Sequence, residues 1–143
     1  MLALRFAILT AARTSEVTGA QWSEIDLQAA VWTVPEGRMK AQREHRVPLS
    51  QESIRILKAA KKLQSDENVA AVFEGRRRNP MCTAGMSAAL KRMKRTDVTV
   101  HGFRSTFRDW CAEQTAFPRE IAEAALAHVL TNKAEAAYQR GDL

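Results

Sequence analysis

Apolar residues along this chain change their spacing several times, and each change marks an element. Over residues 2–12 they fall nearly all round a helical wheel, as in a buried helix. Arg5 interrupts the run and no basic stretch precedes it, so a helix is a better reading than a signal peptide. Thr14 or Ser15 can cap a second short helix through Ala20. Residues 21–27 read as a turn-rich connection. Val31-Trp32-Thr33-Val34 is β-branched and aromatic and predicts a strand. A loop over 35–38 follows, and residues 46–49 predict a returning strand. Pro48 places that strand at an edge or makes it end there.

Helical spacing then resumes. Ser50 is a helix-start signal, and Ile54, Leu57 and Leu63 supply a stripe to about Gln64. Residues 69–73 are short and apolar, and 74–80 form a basic loop. Thr83 can cap a helix to about Arg95, with Met86, Leu90 and Met93 at helical spacing. Further helices are predicted over 103–114, 118–127 and 132–140, with Pro118 in the first turn of its own. The pattern predicts an α+β, mainly helical fold with one small antiparallel β-sheet.

Composition narrows the class. At 143 residues and 45% hydrophobic, the chain fits one domain with a real core. Twenty-two Lys and Arg against 16 acids leave a net charge of +6. A domain with pI above about 9 carries the footprint of a nucleic-acid binder, and this one has a sequence pI near 9.8. Basic stretches at 76–78 and 91–95 add to that. Cys82 and Cys111 form no Cys-x-x-Cys pair and no metal-ligand spacing, and both read as buried small apolar residues in a reduced, cytoplasmic setting. No stretch is long and apolar enough to span a membrane.

The candidate chemistry lies in Arg13, Lys40, His101, Arg104, His128 and Tyr138. Each has an ordinary reading when taken singly. Arg13 is a helix-end arginine that can meet Glu16. His101 and Arg104 share one face at a helix start, with Phe103 and Phe107 on the opposite, apolar face. Two basic groups there oppose the helix dipole, a conflict that a bound anion would relieve. His128 can cap a helix end, and Tyr138 is the chain's single tyrosine.

Together the set fits phosphoryl transfer. A phosphodiester under attack needs positive donors around its non-bridging oxygens, a nucleophile and a proton donor for the leaving oxygen. Arginine offers the planar, bidentate clamp. A tyrosine, with an ordinary pKa near 10, attacks once its phenolate is stabilised. No carboxylate cluster stands ready for Mg²⁺, so side-chain cations must supply the charge.

Thr10-Ala-Ala-Arg-Thr-Ser-Glu-Val17 resembles the first arginine motif of the tyrosine recombinase (phage integrase) family. His101-Gly-Phe-Arg104 resembles that family's His-x-x-Arg motif. Leu126-Ala-His128 followed by Ala137-Tyr138 resembles its second histidine and nucleophile. Lys40 lies in the strand-loop-strand where the family keeps a catalytic lysine, although Arg38, Arg43 and Arg46 share that region. The ending over 137–143 is most similar to the prophage-integrase branch.

The resemblance implies the tyrosine-recombinase catalytic fold and a site-specific recombinase that cleaves and rejoins DNA through a 3′-phosphotyrosyl link. Tyr138 would attack, Arg13 and Arg104 would clamp the phosphate, and Lys40 would protonate the leaving 5′ oxygen. His101 would assist proton transfer, and His128 would hydrogen-bond the phosphate. Glu16 would orient Arg13. No cofactor, metal or ATP is implied. The implied partners are double-stranded DNA attachment sites, a homotetramer on DNA, an excisionase and a host DNA-bending factor, in a bacterial or phage-infected cell near its nucleoid. Residues 1–143 would be a catalytic-domain fragment lacking the family's amino-terminal DNA-binding domains and carboxy-terminal tail. The rival readings are a non-catalytic basic DNA-binding remnant and a type IB topoisomerase-like activity.

Overall fold

A computed structural model describes residues 1–128. Those residues form helices α1 (Leu2–Thr10), α2 (Thr14–Thr18), α3 (Gln51–Lys62), α4 (Ala84–Arg92), α5 (Gly102–Gln114) and α6 (Arg119–Ala125). Strands β1 (Ile25–Asp26), β2 (Val31–Val34) and β3 (His45–Pro48) lie between α2 and α3. The mainly helical fold with a small antiparallel sheet is as the sequence predicts. The predicted helix over 132–140 lies outside the described residues.

The sheet has the order β1-β2-β3, one strand more than the pattern predicts. The region read as a connection supplies β1, which pairs Ile25 with Trp32 and Asp26 with Val31. Turn chemistry hid it: Asp26 Oδ1 accepts the N–H groups of Gln28 and Ala29 at 2.9 and 2.8 Å, closing the turn directly behind a two-residue strand. β3 is the edge strand that Pro48 requires, with Trp32 opposite Val47 and Val34 opposite His45.

Phe6 is fully buried between Trp32 and Phe73, with ring centroids 5.3 and 5.5 Å away. Val34, Leu57 and Met86 pack into the same core. α1 is not buried all round. Ala3, Leu4, Phe6, Ala7 and Thr10 face inward, while Ile8 and Leu9 are exposed.

Several local expectations shift. Ser50 caps α3 as read, accepting from the Ser53 N–H at 3.1 Å. The inward stripe of α3 is Ser53, Ile56, Leu57 and Ala60, and Leu63 lies past the helix end, exposed. Thr83 makes no side-chain cap. α4 stops at Arg92 because Lys94 takes a left-handed conformation (φ 57°), and the Arg95 N–H closes back onto the Leu90 carbonyl at 3.0 Å. Cys111 is buried as read, but Cys82 is exposed on the turn before α4.

Candidate active site

The site forms where α1 ends, α2 and α5 begin, and α6 ends. Arg13 is the residue that caps α2; neither Thr14 nor Ser15 does so. Glu16 reaches back from the first turn, accepting the Arg13 backbone N–H on Oε2 and the Arg13 guanidinium on Oε1, each at 2.7 Å. Glu16 is 2% exposed, so its charge is held by that pairing and is not spent on water. Across the end of α2, the Arg38 guanidinium donates to the Glu16 carbonyl at 3.1 Å and pairs with Glu24. Gly19 makes the room, since a Cβ there would sit 2.7 Å from Arg38 Nη1. Arg38 is therefore committed to the scaffold.

Arg104 is the central group. Helical spacing predicts an inward Phe103 and Phe107 with Arg104 opposite, yet Arg104 is 6% exposed and both phenylalanines are half-buried. The apolar side of α5 loses that place because the ends of two helices offer bare carbonyls. Arg104 Nη1 donates to the Ala11 carbonyl, and Nη2 donates to the Leu126 carbonyl at 2.7 Å. Ala11 and Ala127 are both left-handed, at φ 50° and 51°. That conformation costs a residue with a Cβ about 1–2 kcal/mol, and it closes α1 and α6 beside the guanidinium. The negative ends of both helices offset the burial of a cation.

That compensation is incomplete. Burial, and then the Arg13 guanidinium, hold Arg104 below the ordinary arginine value, with Glu16 opposing. Two neighbouring guanidinium groups that repel each other have the charge to seat an anion.

His128 closes the seat from the end of α6. Its Nε2 lies 3.4 Å from Arg104 Nη2, and its Nδ1 pairs with Glu123. His101 stands at the start of α5, its backbone carbonyl accepting from the Arg104 N–H at 3.1 Å, and its side chain is exposed. Just ahead of the helix the Thr99 hydroxyl accepts the Gly102 N–H at 3.0 Å. Lys40 is exposed on the connection between β2 and β3 and is not drawn into the seat. Tyr138 lies outside the described residues. The structure thus gathers Arg13, Arg104 and His128, keeps His101 at the rim, and leaves Lys40 apart.

Two residues join the site without having been singled out from the sequence. His45, at the start of β3, is half-buried among Glu16, Arg13 and Arg104 and faces the Ala125 carbonyl. Burial holds its imidazole below the ordinary value; Glu16 and the Ala125 carbonyl oppose that, and Arg13 and Arg104 add to it. Strand alternation carries the signal, because Val47 and Leu49 point inward and His45 shares their face. Glu123 is 6% exposed on α6. Its signal is spacing, three residues before the inward Leu126.

A buried arginine beside a second arginine and a histidine, where four helix ends meet on a mainly helical frame, has the chemistry to hold a phosphate. The chain matches the Phage integrase family over residues 1–142, and it belongs to that family. It is 38% identical over 136 residues to the prophage integrase IntA of Escherichia coli K12, covering 94% of this chain and 33% of that protein. It is 28% identical over 152 residues to the integrase of Enterobacteria phage P4, covering 96% of this chain and 35% of that one. The chain spans about a third of the length of these curated relatives. Its fold is that of the lambda integrase catalytic core, with a TM-score of 0.65 at 19% identity, covering 92% of this chain and 81% of that one. The XerA recombinase gives 0.73 at 18% identity, covering 99% and 58%. No helix among the described residues is long and apolar enough to cross a membrane.

Proposed function

We propose that this chain is the catalytic part of a site-specific DNA recombinase that integrates or excises prophage DNA. The observation that carries this reading is the Arg104 guanidinium, fixed between the ends of α1 and α6 beside Arg13 and the Nε2 of His128. Such a seat matches the non-bridging oxygens of one phosphodiester. Arg13 and Arg104 clamp those oxygens as charge develops, and His128 hydrogen-bonds one of them. His101, at the rim, takes the Tyr138 proton as the tyrosine oxygen attacks phosphorus, the bond to the 5′ oxygen breaks, and Lys40 gives that oxygen a proton. A 5′-hydroxyl of the partner strand then attacks the phosphotyrosyl link and releases Tyr138, so the number of phosphodiester bonds is conserved and no nucleotide hydrolysis is needed.

For Lys40 to act, the β2–β3 connection must bring it to the phosphate, a population shift that DNA can drive. The substrate is a double-stranded attachment site, and the working assembly is a homotetramer on DNA. One solved structure with this fold is a lambda integrase tetramer bound to a Holliday junction, which supports that assembly by analogy. An excisionase and a host DNA-bending factor would set direction, in the cytoplasm at the nucleoid.

The test uses the full-length protein and a nicked attachment-site duplex. Tyr138→Phe keeps the ring and removes one oxygen, so folding and DNA binding survive while the covalent adduct disappears. An adduct formed by the Phe variant, or a nucleotide mapped to Ser105 or Thr106, overturns the reading.

A further inference from the structure

We infer that Glu123 is a positioning residue for His128, committing its Nδ1 so that the ring meets the phosphate seat through Nε2 alone. The inference rests on the proposed phosphodiester chemistry for its function, but its geometry stands by itself.

Glu123 is a buried carboxylate on a short helix that has few other buried groups. Isolating such a charge from water costs several kcal/mol unless it is paired. Its close partner is His128 Nδ1, and the Arg119 guanidinium, largely exposed, reaches only to 3.7 Å. The backbone reinforces the pairing, because the His128 N–H donates to the Glu123 carbonyl at 2.9 Å. That bond closes the end of α6 and brings the ring back over the carboxylate that precedes it by five residues.

The partners on the two sides of the ring decide its tautomer. An ionised carboxylate only accepts, so Nδ1 must carry the hydrogen. A guanidinium only donates, so Nε2 facing Arg104 presents its lone pair in the neutral ring. When an anion enters the seat, the same Nε2 is the atom that meets it, whether bare or protonated. Carboxylates fix the face and tautomer of histidines in the same way in metal sites and nucleophile triads. Without Glu123, the ring is free to flip or to carry its hydrogen on Nε2, and the seat loses a defined edge.

The chain contains three histidines, so the ring nitrogens of His128 are readily separated from those of His45 and His101 by ¹⁵N labelling and His→Gln variants. In the DNA-free chain, His128 is expected as the Nδ1–H form, and Glu123→Leu is expected to abolish that preference. An Nε2–H ring in the unsubstituted chain overturns the inference without requiring any variant to fold. In the full-length protein, single-turnover cleavage of a nicked duplex should fall by about 10- to 100-fold in Glu123→Leu, the range typical of lost carboxylate–histidine partners. Duplex affinity should hold, and Glu123→Gln, which keeps an acceptor oxygen, should recover most of the rate. Equal cleavage by a folded Leu variant and the unsubstituted protein overturns the inference and leaves the recombinase reading intact. Absence of any adduct from the unsubstituted protein counts against the recombinase reading instead.

Discussion

Residues 1–100 pack around aromatic rings, whereas α5 and α6 bury few apolar side chains, with Phe103 and Ala127 only partly buried against that core. In the first region Phe6, Trp32, Val34, Ile56 and Leu57 are almost entirely removed from water. In the second, α5 buries Arg104 and Cys111, and α6 buries Ala122 and Glu123, with Leu126 just beyond its end. Trp110 and Ile121 are exposed on the same pair, and Phe117 is exposed on the connection between them. Few buried apolar contacts are the physical mark of a segment that opens at low free-energy cost. The seam between the two regions is where the candidate site lies, and its main tie is one guanidinium bonded to the ends of α1 and α6. A cation used as a structural clasp is also a cation presented to a phosphate. Under the proposed function the same side chain would do both, coupling the holding of the site to the binding of the substrate.

The largest expected effect comes from cutting that clasp. Arg104→Lys keeps the charge but offers one compact ammonium, which cannot reach both carbonyls and clamp a phosphate as well. Cleavage by the full-length protein should fall by about 10³–10⁵, the range for lost arginines in other phosphoryl transfers. Amide hydrogen exchange in α6 should quicken, while that around Phe6 and Trp32 stays unchanged. Normal exchange in α6 would mean that something other than Arg104 ties the pair to the rest, and the contrast between the regions would fail.

Phe6→Ala probes the other side. Removing a fully buried ring that touches Trp32 and Phe73 should cost about 3–5 kcal/mol, read by urea unfolding. Protection should be lost in both regions together, because α5 and α6 have little core of their own. If α6 kept its protection while the first region opened, the pair would be an independent unit and not a dependent flap on the seam.

Apolar spacing made the first region legible. Buried helices and a β-branched strand leave periodic traces, and Ser50 and Pro48 punctuate them correctly. What it missed follows from short range and from polar competition. β1 is too short to show alternation. Lys94 turns left-handed and ends α4 early, with no glycine to announce it. The seam was legible in its parts but not in its packing. Arg13, Arg104 and His128 were found by motif, yet helical spacing alone placed Phe103 and Phe107 on the inner face of α5. Spacing measures apolarity along one helix, and Arg104 is buried by carbonyls from two others. His45 escapes apolar spacing for a related reason, being polar on an inward face among groups from elsewhere in the chain; Glu123 escapes it because its partner, His128, lies past the end of its own helix.

His45 yields the smallest and most specific effect. It belongs to the first region by chain position and to the seam by its surroundings: Glu16, Arg13, Arg104 and the Ala125 carbonyl. Burial leads in holding its imidazole below the ordinary value, so the folded chain binds its proton less readily than the unfolded chain does. The sign follows from proton linkage. Where the unfolded state binds more protons, stability rises with pH. The neutral ring therefore carries no penalty well above the ordinary histidine value, near 6.5. Stability is lost as pH falls through that value toward the lower, folded one. His45→Gln removes the titration while keeping a donor for the Ala125 carbonyl. Urea unfolding from about pH 7.5 to about pH 5.5 brackets the window. Across it, the unsubstituted chain should lose more stability than the Gln variant, by well under the cost of Phe6→Ala because the ring is only half-buried. The difference between the two curves separates His45 from every other titrating group. Parallel curves would mean that His45 is equally solvated in both states, which would place it outside the seam and return β3 wholly to the apolar region.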